Sequence, residues 1–287
     1  MPTIETNGIE TYYEDYGSGH PIVVLHGALA DHQVWAEQLQ PLTDDYRVLL
    51  YDLRGHGKTG GSDHDRYTLE TYGSDLAAFI DALDLDQPVV LGHSWGGMIG
   101  YGFADAHPKK LSTLITVGAM TPESFSTGER IFQTAHTRVI MPLMTNERVL
   151  NAGMWVQETV FGDDSTPDMD ELEGLRAAHE CEMPELTEEE HTKILQATRE
   201  YIASSWSWDL SEVPALILYG ENEPFIDAHA QFLERRFTDC RSVEIPEASH
   251  NSQLDNPEFI RTRIRELLAE TLDREKQRTT NPPKRSE

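Results

Sequence analysis

A serine between two glycines is the clearest sign of chemistry in this sequence. Residues 92–96 read Gly-His-Ser-Trp-Gly. They follow a short apolar run at 88–91 that is typical of a buried strand, and they open a segment at 95–106 that is predicted to be helical. The G-x-S-x-G pattern between a strand and a helix holds a nucleophilic serine on a sharp turn. Ser94 is therefore predicted to be a catalytic nucleophile.

A serine hydroxyl is a weak nucleophile unless a general base takes its proton. His250 is the predicted base, because it follows the predicted strand at 242–245 and precedes the last predicted helix. It also comes last in the chain order of serine, acid and histidine. Three histidines beside glycines, His26, His56 and His93, are instead expected to make local hydrogen bonds.

The third member of such a triad is a carboxylate that orients the imidazole and stabilises its charged form. Three acidic residues follow the predicted strand at 214–219. Glu223 is the first choice and Asp227 is the second, although Asp227 is also well placed to cap the next helix. Glu221 is the third choice, so the sequence alone leaves the acid open among these residues.

The tetrahedral intermediate of such a reaction needs main-chain N–H donors that bind its oxyanion. One predicted donor is the N–H of Trp95, the residue after the nucleophile. The other is the N–H of Ala28, which follows His26-Gly27 in the loop after the strand predicted at 21–25.

Short apolar runs alternate with helical patterns in the first and last parts of the chain. This alternation predicts an α/β fold, with a mostly parallel twisted sheet that carries helices on both faces. The predicted strands are 21–25, 46–51, 88–91, 114–117, 214–219 and 242–245, and the predicted helices are 31–43 (capped by Asp31), 68–84, 95–106, about 227–237 and the segment from about 256.

The alternation is interrupted between residues 119 and 211, where helical fragments separated by prolines are predicted and no strand is. This insertion holds scattered Met and aromatic residues, and its stretch 163–190 holds twelve Asp or Glu and one Arg. We interpret 119–211 as a helical lid between two parts of a core, 1–118 and 212–272. The basic, proline-containing segment 273–287 is expected to be a disordered tail.

The formal net charge of −27, with 23 basic and 50 acidic residues, argues against some partners. Such a surface repels phosphate backbones and anionic lipids, so neither nucleic acid nor a membrane is an expected partner. Two isolated cysteines, Cys181 and Cys240, and no visible signal peptide indicate a reducing, cytoplasmic location. Few lysines within this acid excess suggest adaptation to high salt, where charge repulsion is screened.

These motifs resemble those of the α/β-hydrolase superfamily over about residues 5 to 270. The matching segments are His26-Gly27 with Trp35, Asp52 to Thr59, Gly92 to Gly97, and His250 followed by Asp255-Asn256-Pro257. Two positions differ from the usual family pattern: Ser249 replaces a glycine before the histidine, and Glu223 stands where aspartate is usual. The resemblance implies the α/β-hydrolase fold with a helical lid inserted after the sixth strand.

Within that superfamily, Ser94 separates the chain from branches that attack with aspartate, such as epoxide hydrolases and haloalkane dehalogenases. The motifs look most like those of lidded esterases and enol-lactonases, which implies cleavage of a small-molecule ester or lactone with no metal or organic cofactor. Carbon–carbon hydrolases, cofactor-free haloperoxidases and proline iminopeptidase-like enzymes share the triad and stay as alternatives. A non-catalytic small-molecule-binding protein on the same scaffold is the alternative outside enzymes.

Overall fold

The alternation of apolar runs and helices produces one central sheet. A computed structural model describes residues 2–135, 138, 186–223 and 226–280, and in these residues eight strands pair in the order β1-β2-β4-β3-β5-β6-β7-β8. The strands are β1 (Thr3–Thr6), β2 (Ile9–Gly17), β3 (Pro21–Leu25), β4 (Arg47–Tyr51), β5 (Val89–His93), β6 (Thr113–Val117), β7 (Ala215–Gly220) and β8 (Cys240–Ile245).

The sheet is mostly parallel, as the sequence predicted. Strands β3 to β8 pair in parallel through the neighbours β4-β3-β5-β6-β7-β8, whereas β1 and β2 are antiparallel, and β2 is antiparallel to β4. Because parallel strands share one direction, their carboxyl ends meet at one edge of the sheet, where loops can combine functional groups. The two antiparallel strands were not among the predicted elements.

Helices cover both faces of the sheet. They are α1 (Gln33–Leu39), α2 (Leu69–Ala82), α3 (Trp95–Ala106), α4 (Thr127–Ala135), α5 (Glu188–Ala203), α6 (Ile226–Glu234), α7 (Ser252–Asp255) and α8 (Pro257–Thr280), with short 3₁₀ turns at Gln40–Leu42 and Pro122–Ser124. Alternate residues of β3 point to opposite faces, with Ile22 packing beside α1 and α8 and Val23 packing beside α2 and α3. Two separate hydrophobic clusters therefore sandwich the sheet.

Helix α3 carries glycines on the face that meets the sheet. A methyl carbon at Gly97 would lie 2.5 Å from Cβ of Ala119, and one at Gly100 would lie 2.7 Å from Cδ1 of Leu114. Real Cβ atoms do not approach other atoms so closely. Ala119 Cβ cannot move without its backbone, so the contact at Gly97 requires glycine, whereas Leu114 Cδ1 is the end of a flexible side chain. The close approach fixes the start of α3 relative to the ends of the strands.

The described parts of the predicted lid are helical. After β6 they comprise the turn Pro122–Ser124, α4 and α5, and no strand occurs among residues 119–135 and 186–211. Most of the acidic stretch 163–190 lies outside the described residues. Helix α5 is not a detached cover, because Ile194, Tyr201 and Ile202 are buried in the cluster that also holds Trp95.

Some predicted boundaries differ from those of the structure. The last helix continues to Thr280, so the prediction of a disordered tail was wrong for 273–280, a stretch whose Arg, Glu, Lys and Gln residues favour helix. Residues 281–287 lie outside the described part. His32 rather than Asp31 is the N-cap of α1, although Asp31 Oδ1 accepts the Gln33 N–H at 2.8 Å. None of the helices described is both long and apolar enough to cross a membrane.

Candidate active site

Ser94 lies at the sharp turn between β5 and α3. Its backbone has φ 49° and ψ −113°, a conformation that side-chain-bearing residues rarely adopt and that costs on the order of 1–3 kcal/mol. The turn is tight enough that a methyl carbon at Gly92 would lie 2.4 Å from the carbonyl carbon of Gly96. At Gly96 such a carbon would lie 2.5 Å from the carbonyl oxygen of Leu25. The two glycines of the motif thus allow the turn that presents the Ser94 hydroxyl.

A continuous chain of hydrogen bonds runs from this hydroxyl to a carboxylate. Ser94 Oγ lies 3.0 Å from His250 Nε2, and His250 Nδ1 lies 2.6 Å from Glu223 Oε1. If Nδ1–H donates to the carboxylate, the lone pair of Nε2 can accept the serine proton. About 46% of the His250 side chain is exposed but only 5% of that of Glu223, so the imidazole is accessible while the acid is enclosed.

The other two acidic candidates lie elsewhere. Asp227 is an exposed residue inside the first turn of α6, which begins at Ile226, so its alternative interpretation as the N-cap of this helix was wrong. A carboxylate in the first turn still interacts favourably with the helix dipole. Glu221 Oε2 accepts the main-chain N–H of Glu247 at 2.9 Å. The structure therefore brings Glu223, the first choice, to His250.

The charge of Glu223 changes the acid–base properties of His250. Desolvation of the ring by the surrounding protein lowers its pKa, but the hydrogen bond and the negative charge of Glu223 outweigh this effect. The pKa of His250 is consequently raised above its usual value of 6.5. A raised pKa makes the imidazole a stronger base for the Ser94 proton at pH values where it is neutral.

The loop after β3 lies directly beside the serine. A methyl carbon at Gly27 would lie 3.5 Å from Ser94 Cβ. The Gly27 carbonyl accepts hydrogen bonds from His26 Nδ1 at 2.8 Å and from the Ala30 N–H at 3.3 Å. In a planar trans peptide the Ala28 N–H must point away from that carbonyl, and no described residue accepts a hydrogen bond from it. The Trp95 N–H is likewise without a helical acceptor, because it begins α3.

Comparison with known proteins agrees with this architecture. Residues 20–257 match the family described as alpha/beta hydrolase fold. The chain belongs to this family. Among the described residues of this hydrolase, no group of three or more His, Cys, Asp or Glu side chains is arranged to hold a metal ion.

The hydrolase has relatives with several named activities. It is 26% identical to human epoxide hydrolase 4, over 93% of this chain and 78% of that protein. It is 34% identical to a 2-hydroxy-6-oxo-2,4-heptadienoate hydrolase of Pseudomonas putida, over 39% of this chain and 42% of the relative. The names of these relatives differ in reaction, so the family alone does not select a substrate.

Two solved structures share the fold of the hydrolase over nearly its full length. A thermophilic esterase from Thermogutta terrifontis superposes with a TM-score of 0.69 at 24% identity, covering 94% of this chain and 97% of that one. The enol-lactonase from Burkholderia xenovorans LB400 superposes with a TM-score of 0.70 at 21% identity, covering 93% and 100%. Similarity at this level of identity establishes the fold.

Sequence reasoning missed one residue that shapes the site of the hydrolase. Gly118 follows β6 with a positive φ of 58°, and a methyl carbon there would lie 3.2 Å from Glu223 Oε2 and 3.4 Å from His250 Nδ1. The absent side chain leaves the space in which Glu223 and His250 meet. A lone glycine after a strand resembles many turn glycines, so only its position beside two distant residues reveals this function.

Trp95, the residue after Ser94, lies in an aromatic cluster. Its buried indole packs edge-to-face against Tyr72 of α2 at 5.6 Å and against Tyr201 of α5 at 5.8 Å between ring centroids. The Tyr201 hydroxyl donates to the Met120 carbonyl at 3.0 Å. The residue after Ser94 thus packs directly against a helix from the segment predicted as the lid.

Proposed function

We propose that this protein is a serine hydrolase that cleaves a carboxylic ester or lactone of a small molecule through an acyl-enzyme. The observation that carries the proposal is the chain of contacts of 3.0 Å from Ser94 Oγ to His250 Nε2 and 2.6 Å from His250 Nδ1 to Glu223 Oε1. A nucleophile, a base within hydrogen-bond reach and a group that orients the base are what covalent acyl transfer requires.

The reaction follows from these positions. Ser94 Oγ attacks the carbonyl carbon while His250 Nε2 takes the hydroxyl proton, and the Glu223 carboxylate stabilises the imidazolium. The N–H groups of Ala28 and Trp95 bind the oxyanion of the tetrahedral intermediate. When the intermediate collapses, His250 gives its proton to the leaving alkoxide and the acyl group stays on Ser94. Water, activated by His250, then attacks the acyl-serine ester. His250 returns the proton to Ser94 Oγ as the carboxylic acid is released.

The identity of the nucleophile argues against epoxide opening, despite the 26% identity to human epoxide hydrolase 4. If Ser94 attacked an epoxide carbon, the product would be an alkyl ether with the enzyme. An ether has no carbonyl for water to attack, so the enzyme would not turn over. A carbonyl substrate gives an acyl-serine ester that water can hydrolyse. Ser94 therefore favours esters and lactones.

A substrate panel with a matched pair of variants tests the proposal. The panel contains short-chain alkyl esters, aryl esters, lactones, a proline amide and a vinylogous diketone, assayed in low and in molar salt. Ser94→Ala removes the nucleophile. Ser112→Ala is the control, because Ser112 Oγ also contacts a histidine, His20 Nε2 at 3.3 Å, but lies just before the amino end of β6.

We expect the wild type and Ser112→Ala to hydrolyse an ester or lactone, and Ser94→Ala to lose at least about 10³-fold of the rate. A fluorophosphonate is expected to label the wild type and not Ser94→Ala. If Ser94→Ala keeps its turnover, covalent catalysis at this residue is refuted. If the folded wild type neither turns over nor reacts with the probe, the protein is a binding protein on a hydrolase scaffold. Preference for the amide or diketone would select one of the other reactions of this triad.

A further inference from the structure

A second histidine links the nucleophile to the catalytic base. His93 is the last residue of β5 and immediately precedes Ser94. Its Nε2 lies 2.9 Å from the main-chain carbonyl oxygen of His250, a residue 157 positions further along the chain. The two imidazole rings also lie against each other, with centroids 5.1 Å apart and planes at 48°. The prediction of a local hydrogen bond for His93 was therefore wrong for Nε2.

The direction of this hydrogen bond is fixed by the surroundings of His93. The side chain is buried, and desolvation together with the nearby His250 lowers the pKa of His93 to about 3. The ring is therefore neutral at physiological pH. Because a carbonyl oxygen can only accept, Nε2 must carry the single ring proton and donate it. Nδ1 is buried and has no hydrogen-bond partner within the described part of the chain.

The orientation of the His93 ring is set by packing on its remaining sides. Trp35 meets it edge-on, with ring centroids 6.4 Å apart and planes at 77°. Gly27 leaves room for it, because a methyl carbon there would lie 3.1 Å from His93 Nδ1. A ring held between Trp35, Gly27 and His250 donates from a fixed position.

Other hydrogen bonds hold the loop around His250 but leave its own carbonyl to His93. The Asn222 N–H donates to the Ala248 carbonyl at 2.9 Å, and Asp255 Oδ2 accepts the Ser249 N–H at 2.7 Å. The loop atoms held by these two contacts belong to Ala248 and Ser249, the two residues before His250. Among the described residues, the carbonyl of His250 itself accepts its hydrogen bond from His93.

We infer that His93 is a positioning residue, which holds the main chain of His250 so that its imidazole stays within hydrogen-bond reach of Ser94. The inference rests on the proposed function. Ser94 and His93 are adjacent, so the nucleophile and the donor that anchors the base move as one unit. Small misplacements of reacting groups, on the order of 1 Å, can cost about 10²-fold in rate. Loss of the anchor is therefore expected to act on the chemical step.

Three substitutions separate the hydrogen bond from the bulk of the ring. In His93→Gln the amide nitrogen can reach the place of Nε2, whereas in His93→Asn the same group is one methylene too short. His93→Leu removes the donor and keeps apolar volume. His56→Leu is the matched control, because His56 is also buried and neutral and bonds a main-chain carbonyl, that of Arg54 at 2.9 Å.

The readouts are kcat and KM on an ester whose hydrolysis Ser94→Ala abolishes, together with thermal melting to verify folding. We expect His93→Asn and His93→Leu to lose about 10- to 100-fold in kcat, with KM changed less than about threefold. His93→Gln is expected to stay within about threefold of the wild type, and His56→Leu to lose stability but keep kcat. A displaced base should also slow phosphonylation of Ser94 in the first two variants.

Folded His93→Asn or His93→Leu with wild-type kcat would overturn the inference, even though Ser94 remained the nucleophile. Equal kcat losses in His93→Gln and His93→Asn would overturn it too, since bulk rather than the hydrogen bond would then matter. The wild type gives an independent answer through its ¹⁵N-histidine NMR spectrum, with the His93 signal assigned as the one missing from His93→Gln. A neutral Nε2–H tautomer from about pH 5 to 8 is expected, and an Nδ1–H tautomer would contradict the inference.

Discussion

Replacing Glu223 by glutamine is expected to lower kcat strongly while leaving the protein folded. The amide has the size of the carboxylate but no negative charge. In the native site, Glu223 Oε1 accepts the proton on His250 Nδ1 at 2.6 Å and so fixes the tautomer whose Nε2 faces Ser94. Glutamine can turn its NH₂ group towards Nδ1, which favours the opposite tautomer with the proton on Nε2. That tautomer cannot accept the proton of Ser94.

The magnitude follows from what the carboxylate does. Changing the acid of a serine protease triad to its amide lowers kcat by about 10⁴-fold. We expect a smaller loss here, about 10²- to 10³-fold, because 46% of the His250 side chain is exposed and water can solvate the imidazolium. Glu223→Asp withdraws the carboxylate by about 1.5 Å, which stretches the contact to roughly 4 Å, beyond hydrogen-bond range. A loss of about 10- to 100-fold is expected for this variant.

The assay is the pH dependence of kcat/KM from about pH 5 to 9, which reports ionisations of the free enzyme. Since the hydrogen bond and charge of Glu223 raise the pKa of His250, their removal should move the acidic limb of the Glu223→Gln profile to lower pH. Glu221→Gln is the control, because Glu221 is exposed and bonds the Glu247 N–H. If Glu223→Gln kept more than about a third of the wild-type kcat with an unmoved limb, Glu223 would not be the triad acid.

Three further outcomes follow from the sequence and the structure. The wild-type kcat/KM should fall on acidification with a midpoint above 6.5, because His250 must be neutral to act as base and its pKa is raised; a midpoint below 6.5 would contradict this. Gly96→Ala should lower the free energy of unfolding by about 1–3 kcal/mol in chemical denaturation, because its methyl carbon would lie 2.5 Å from the Leu25 carbonyl oxygen. Gly73→Ala in α2, which has open space around it, should instead raise the free energy of unfolding by up to about 1 kcal/mol. The melting temperature should rise steeply from low to molar KCl, because screening removes repulsion within a chain of net charge −27, and a flat salt profile would contradict adaptation to salt.

Local patterns made the fold and the turn around Ser94 predictable from the sequence. The strand at 88–91, the glycines around Ser94 and the helix at 95–106 are contiguous, so one short window holds the whole turn. The parallel sheet followed from the repeated alternation of apolar runs and helices. The antiparallel strands β1 and β2 escaped prediction because they lie outside that alternation, at the edge where one side of the ribbon is partly exposed.

The parts of the site that sequence left open are those set by contacts between distant residues. Three acidic side chains follow β7, and only the path of the loop decides which of them meets His250. The contact of His93 with His250 is likewise invisible locally, since a histidine beside a glycine resembles any loop histidine. In physical terms, spacing along the chain fixes which strand end carries a group, but packing fixes where its side chain reaches.

The sheet order explains why glycines recur where Ser94, His250 and Glu223 meet. Ser94 follows β5 and His250 follows β8, and these strands are separated in the sheet by β6 and β7. The loop that carries His250 must therefore cross the ends of both intervening strands to reach the serine. Each of those ends carries a glycine. A methyl carbon at Gly220, the last residue of β7, would lie 2.5 Å from a main-chain oxygen of that loop. A methyl carbon at Gly118, just after β6, would crowd Glu223 and His250. The 3.0 Å contact between Ser94 Oγ and His250 Nε2 thus depends on two glycines, which supply space and no functional group.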